Sequence, residues 1–199
     1  ARDDTCQSDT KRLLYVGRME RGKGLLEMVE ALALLVERGE NVRLDFVGWL
    51  EPSDPVLQDI QILASLMGVM DRVEYLGSRP LGPELFACYR ASDIFLNASL
   101  ASEGFPRTIW EAMANSLPVV ATRVGSIATY IDGVAELVPP HDIHGLADGI
   151  SRMIRDSKRR QAYIRDGRKL AQENTLEKRS QEMIEVISHY LTKADKRTC

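Results

Sequence analysis

The sequence predicts an α/β domain, a doubly wound parallel sheet of about six strands with helices on both faces. Three observations predict it. Short apolar runs bounded by glycine alternate with helical patterns of roughly 10–15 residues, the signature of βαβ units. Short apolar strands joined through such helices imply a parallel sheet covered on both faces. The alternation fills 199 residues without an internal repeat or a biased tract, a length suited to one domain with a sizeable core.

Residues 1–11 are polar and lack periodicity, and are expected to form a linker or disordered N-terminal segment. Arg12 to Val16 (RLLYV) reads as the first strand, ending at Gly17. From Gly24 the pattern LLEMVEALALLVER keeps apolar residues on one helical face, and Gly39 supplies the stop. Val42 to Val47 is the second strand, closed by Gly48; after the turn-rich EPSDP, VLQDIQILASLMG is helical. A third strand, Arg72 to Leu76, precedes a Gly/Pro turn and a helix from Pro83 to Ala91, and a fourth strand runs from Asp93 to Asn97. Pro106 suits the first turn of a helix continued by RTIWEAMANS. Pro118 to Ala121 and Ala135 to Val138 read as the fifth and sixth strands. HGLADGISRMIRD, KRRQAYIRDGRKLAQEN and TLEKRSQEMIEVISHYL then form three consecutive helices, so the domain spans 12–191 and residues 192–199 form a fraying tail.

Composition narrows the function. At 44% hydrophobic and 28% charged the chain has the make-up of an ordinary globular protein. A net charge of -3 and a pI near 5.7 argue against the clustered basic face of a nucleic-acid binder, so any anion site is local. Cys6, Cys88 and Cys199 form an odd set without CxxC or metal-ligand spacing, which fits a reducing compartment, and all three read as incidental. His141, His144 and His189 match no motif and are assigned no role. There is no signal peptide at the start and no run of about 18 apolar residues. The expectation is a cytoplasmic protein without a transmembrane segment, with peripheral membrane association left open through parts outside this chain.

In a doubly wound sheet the ligand lies beyond the carboxyl ends of the strands near the topological switch point, which selects the loops after the first, second and fourth strands. The first, Gly17-Arg18-Met19-Glu20-Arg21-Gly22-Lys23-Gly24, sets an arginine and a lysine five apart between glycines at a helix N-terminus. That is an anion-site composition: free N–H groups, a bidentate fork and a mobile point charge. A solvated basic loop has the same composition. It is neither a Walker loop nor GxGxxG. The loop after the fourth strand places Glu103 just before a helix and Glu111 in its second turn. Arg107 stands four residues before Glu111, so an exposed helical ion pair also accounts for it, and Glu103 could simply complement the helix dipole. Phe105, Ile109, Trp110 and Met113 make the segment largely apolar where a ligand belongs.

Glu103 to Glu111 is an E-x7-E motif within EGFPRTIWEAMANSLPVVAT, which closely resembles the family 4 (group 1) retaining glycosyltransferases of GT-B fold. The GR-x4-KG loop and DGVAELVPPHD match that family too, and the resemblance covers about residues 11–155. It implies the C-terminal, Rossmann-like half of a GT-B enzyme, one that binds a UDP- or GDP-linked sugar and transfers a hexosyl group with retention. Carried over, Arg18 and Lys23 bind the donor diphosphate, Glu103 contacts sugar hydroxyls, and Glu111 binds the ribose. Gly104, Phe105, Pro106, Arg107 and Thr108 line the donor site, and Gly48, Ser78 and Arg79 lie where the base is read. Arg18, Lys23 and Glu103 are then the catalytic set. With arginine, lysine and a helix N-terminus taking the leaving-group charge, neither a metal nor another cofactor is expected.

The sequence departs from the family pattern at Pro106, usually glycine, at Trp110, commonly leucine, at Asn115-Ser116, where glycine is frequent, and at Ser126, in a common glycine pair. A proline removes one backbone donor from the sugar side. The acceptor-binding N-terminal domain lies outside this chain, so the chain alone is expected to be inactive or weakly active. A nucleotide-sugar-binding module without catalysis, and another GT-B enzyme such as a nucleotide-sugar epimerase or a glycogen phosphorylase-like enzyme, are the alternatives.

Overall fold

The computed structural model describes residues 2–101, 104 and 106–195 and, over 191–195, the backbone alone. Strands β1 (Lys11–Val16), β2 (Val42–Val47), β3 (Val73–Tyr75), β4 (Ile94–Asn97), β5 (Val119–Thr122) and β6 (Glu136–Val138) form one sheet in the order β3-β2-β1-β4-β5-β6. Every pairing is parallel. The helices are α1 (Leu25–Glu37), α2 (Val56–Leu66), α3 (Pro83–Ala91), α4 (Arg107–Ala114), α5 (Ile127–Ile131), α6 (Ile143–Arg155), α7 (Ser157–Glu173) and α8 (Leu176–Asp195).

The strands are mostly apolar because both faces are covered, and β2 carries its two charged residues, Arg43 and Asp45, as a pair at 3.1 Å. Leu13, Tyr15, Leu44, Phe46, Leu96 and Val120 point into one core with α1, α2 and α6. Leu14, Val16, Val47, Phe95, Val119 and Ala121 point into the other with residues of α3, α4 and α5. Helix α1 buries Leu25, Met28, Val29, Leu32 and Leu35, spacings of three and four that keep one stripe on the sheet. Each such fully buried side chain stabilises the fold by about 1.5–3 kcal/mol.

The chain runs outward from β1 through β2 to β3, then returns to pair β4 on the other side of β1. The β1/β4 boundary is therefore the switch point, and the loops after these two strands face each other across it. Where the boundaries differ from the pattern reading, local geometry is the reason. Pro106 is the cap before α4 rather than a first-turn residue, because its ψ of 121° is extended, as cap residues are. Strand β3 is three residues long because Met70–Arg72 is a 3-10 turn. The five-residue α5 was not expected from the pattern at all.

The segment read as a linker lies against the domain. Asp93, buried at the start of β4, accepts from the Cys6 N–H at 2.6 Å and the Arg12 N–H at 2.8 Å. Asp4 pairs with Arg160 at 2.6 Å; Arg160 is 4% exposed and also donates to the carbonyls of Met153 and Ile154 in the last turn of α6. At the other end α8 stays helical to Asp195 and stands clear of both cores. Its Leu176, Met183, Ile184, Val186, Ile187 and Tyr190 are each more than half exposed. No helix among the described residues is long and apolar enough to cross a membrane.

Candidate functional site

The β1 loop is held by its own backbone. Gly17 N–H donates to Val47 O at 3.0 Å, Met19 N–H to Trp49 O at 2.8 Å, and the Tyr15 hydroxyl to Arg18 O at 2.7 Å. Met19 is buried and anchors the middle of the loop, while the Arg18 side chain is 66% exposed and Lys23 18%. Both cations face Glu20, at 3.4 and 3.7 Å. Arg21 turns away to Asp59 on α2 and is bound there. Sequence spacing alone does not separate Arg18 from Arg21; their partners do.

Two glycines let neighbouring loops touch. A β-carbon on Gly48 would stand 1.6 Å from Gly17 O, and one on Gly24, whose φ is +71°, 2.0 Å from Ala98 O. The second contact joins the β1 and β4 loops across the switch point, and Leu100 N–H to Gly22 O at 3.0 Å reinforces it. On its other side the β4 loop is tied to β5, where the Thr122 hydroxyl donates to Ser99 O at 2.6 Å. Asn97, the last residue of β4, is buried, and its Oδ1 has no hydrogen-bond partner. Among the described residues no side chain caps the N-terminus of α4, whose first N–H groups belong to Arg107 and Thr108.

Glu103 and Phe105 lie outside the described residues. Gly104 is exposed, as is Arg107, and Thr108 and Pro106 are half-buried. Glu111 has a side chain 13% exposed. Its Oε1 accepts from Arg107 Nε at 3.2 Å and its Oε2 from the Tyr89 hydroxyl at 2.9 Å. The helical ion pair expected from the spacing is thus present, but on a carboxylate that is largely buried, which an ordinary surface pair is not. Burial first, and then the Glu111 charge, push the Tyr89 hydroxyl far above its ordinary value, so it remains a donor at any physiological pH. Tyr89 was not singled out from the sequence, because nothing in a 22-residue separation across two helices marks the pair.

Of the residues expected near the base, Gly48 has its N–H bonded to Gly77 O at 3.1 Å and its carbonyl accepting from the Tyr75 hydroxyl at 2.8 Å. It serves as the contact between loops. Ser78 and Arg79 are exposed in the loop after β3. Beside Glu111 a cavity of about 610 Å³ opens between α3, α4 and the α7–α8 junction, lined in part by Leu81, Phe86, Trp110 and Arg179. Among the described residues no three His, Cys, Asp or Glu side chains converge as metal ligands.

Comparison with known proteins fits this architecture. The family model for glycosyl transferases group 1 matches residues 10–156. The D-inositol 3-phosphate glycosyltransferase of Corynebacterium jeikeium is 35% identical over 152 residues, covering 74% of this chain and 36% of that protein. The chain thus spans little more than a third of that relative's length. The C-terminal domain of LpcC, a group 1 family protein from Francisella tularensis, superimposes with a TM-score of 0.74 at 26% identity, covering 82% of this chain and 85% of that one. HepE of Anabaena, crystallised in complex with UDP, gives a TM-score of 0.82 at 24% identity over 91% of this chain and 49% of its own. With the family model matching well over half the chain and a Rossmann-like sheet of GT-B type, this chain belongs to the group 1 glycosyl transferases.

Proposed function

We propose that the chain binds the nucleoside diphosphate sugar of a retaining, metal-independent glycosyltransferase that moves a hexosyl group to an acceptor held by a separate N-terminal domain. One observation carries the reading: the Arg18/Lys23 loop and the loop entering α4 are locked together at the switch point through Gly24–Ala98 and Gly22–Leu100. Arg18, Lys23 and the N-terminus of α4, in this reading, serve one ligand. In this reading the diphosphate displaces Glu20 from Arg18 and Lys23, and the N–H groups at the start of α4 complete its cradle. Negative charge grows on the diphosphate as it leaves, and these groups stabilise it without reorganising, the work a divalent metal would otherwise do.

Glu103, Gly104, Phe105 and Pro106 lie on the sugar side, with Glu103 orienting the sugar through its hydroxyls; Glu111 meets the ribose, and Ser78 and Arg79 the base. The apolar face of α8, exposed here, would be covered by the acceptor-binding domain, and transfer by this chain alone is weak. A cytoplasmic site, with any membrane contact made by the remaining part of the protein, accords with the free thiols of Cys6 and Cys88.

UDP, the ligand of HepE, and GDP are the nucleotides to test. At 100 times its Kd a ligand of the folded state adds about 2.7 kcal/mol of stability. Thermal melting in the presence of EDTA should show a rise with UDP or GDP that Arg18→Ala and Lys23→Ala reduce. A rise that appears only with added divalent cation would contradict the metal-independent reading.

A further inference from the structure

We infer that Tyr89 is a positioning residue for the donor, acting through Glu111: its buried hydroxyl locks one carboxylate oxygen and presents the other to the ligand. The inference rests on the reading of Glu111 as a donor contact. The two oxygens of this carboxylate have unequal partners. Oε2 is held at 2.9 Å by a tyrosine with no solvent exposure, whose ring packs on Phe95 with centroids 5.9 Å apart. Oε1 is held at 3.2 Å by Arg107, whose side chain is 81% exposed. The first partner cannot leave without unpacking the core under α3 and α4. The second is a solvated side chain that holds its place weakly and exchanges with water readily.

The consequence is an ordered carboxylate with one replaceable contact. Oε1 is the oxygen a ligand hydroxyl can take over from Arg107, and Oε2 stays where Tyr89 fixes it. A free glutamate would lose its rotamer freedom on binding; here that ordering accompanies folding instead, which favours affinity. The Tyr89 hydroxyl has one proton, and among the described residues its other acceptor, Thr108 O at 3.5 Å, is too distant to compete. The proton is therefore committed to Glu111.

Calorimetric titration of UDP and GDP into this chain tests the inference with Tyr89→Phe, Glu111→Ala and the double variant. Phenylalanine keeps the ring against Phe95, so the fold is preserved and only the hydroxyl is lost. The expected result is binding weakened about tenfold by Tyr89→Phe, the scale of a hydrogen bond to a charged group. Binding should weaken at least as much with Glu111→Ala, and the double variant should match Glu111→Ala. Three results overturn the inference. If Tyr89→Phe binds like the unsubstituted chain while Glu111→Ala is weakened, the donor reading stands and the positioning role fails. If the Tyr89→Phe loss persists undiminished in the Glu111→Ala background, the Tyr89 hydroxyl acts by a route other than Glu111. If neither nucleotide binds, or Glu111→Ala changes nothing, Glu111 is not a donor contact and both readings fail together.

Discussion

Gly24 and Ala98 are in backbone contact across the β1/β4 boundary, so close that a β-carbon at position 24 would lie 2.0 Å from the Ala98 carbonyl oxygen. This contact sets the spacing of the two loops proposed to hold the donor. It also explains why glycine is required there on two counts, since φ is +71° and no space remains. Gly24→Ala should lower stability by roughly 2 kcal/mol or more, from left-handed strain plus overpacking. In a domain of this size that lowers Tm by about 4–8 °C. Thermal melting checks it, and nucleotide binding should fall with it because the loops part. A variant as stable as the parent would show that the two loops are not in contact.

Arg18 and Arg21 make a matched pair of controls. Arg18 is exposed and faces Glu20 within its own loop, whereas Arg21 is committed to Asp59. Arg18→Ala should leave stability within about 0.5 kcal/mol of the parent and weaken UDP or GDP binding roughly tenfold, an effect that salt diminishes. Arg21→Ala should leave binding nearly unchanged. Titrations at two ionic strengths distinguish these outcomes.

The N-terminal segment should contribute to stability through Arg160. Removing this buried cation strands Asp4 and the carbonyls of Met153 and Ile154, and Arg160→Met should cost about 3 kcal/mol. Chemical denaturation measures the loss directly.

Asp4 gives the same contact a pH signature. Partial burial raises its pKa, but the hydrogen bonds from Arg160, Gln161 and the Thr5 N–H outweigh that and hold it below the ordinary carboxylate value. Because the folded pKa is the lower one, the stabilisation is complete above the unfolded value of about 3.9 and is lost as pH falls through the folded value. The stability gap between the parent and Asp4→Asn should therefore be flat from about pH 5 to 8 and close in more acid solution. Asp45, whose pKa is raised by burial, titrates with the opposite sign, but it is common to both proteins and cancels from the gap.

Helix α8 should be dispensable to the domain. Met183→Glu and Ile187→Glu replace side chains that are 64% and 51% exposed, so stability should stay within about 0.5 kcal/mol of the parent. If the apolar face meets the acceptor-binding domain, the same changes weaken association with that domain, which pull-down with the separately produced half would reveal.

Much of the fold was legible because its strands are short apolar runs between glycines and its long helices carry spacings of three and four. What escaped was set by contacts distant in sequence or by elements too short for periodicity. IATYI is five residues long, with two isoleucines and a threonine that favour strand as readily as helix, and only packing of Ile127 and Ile131 makes it α5. Asp4 and Arg160 are 156 residues apart, and nothing in ARDDTCQSDT marks an anchor. Of the candidate site, the arginine and lysine of the β1 loop and the two carboxylates after β4 are visible in the sequence. Which cation stays exposed, and that Glu111 is gripped by Tyr89, depends on side-chain partners that appear only once α2, α3 and α4 are in place.

The most direct test of the donor-site reading is a crystal structure of this chain with UDP or GDP, grown without divalent cations. The account predicts the diphosphate within hydrogen-bond distance of Arg18, Lys23 and the first N–H groups of α4, with the ribose on Glu111 Oε1. A nucleotide that makes no contact with Arg18 or Lys23, for instance one held wholly within the cavity that Phe86, Trp110, Arg179 and Glu111 itself line, would contradict it.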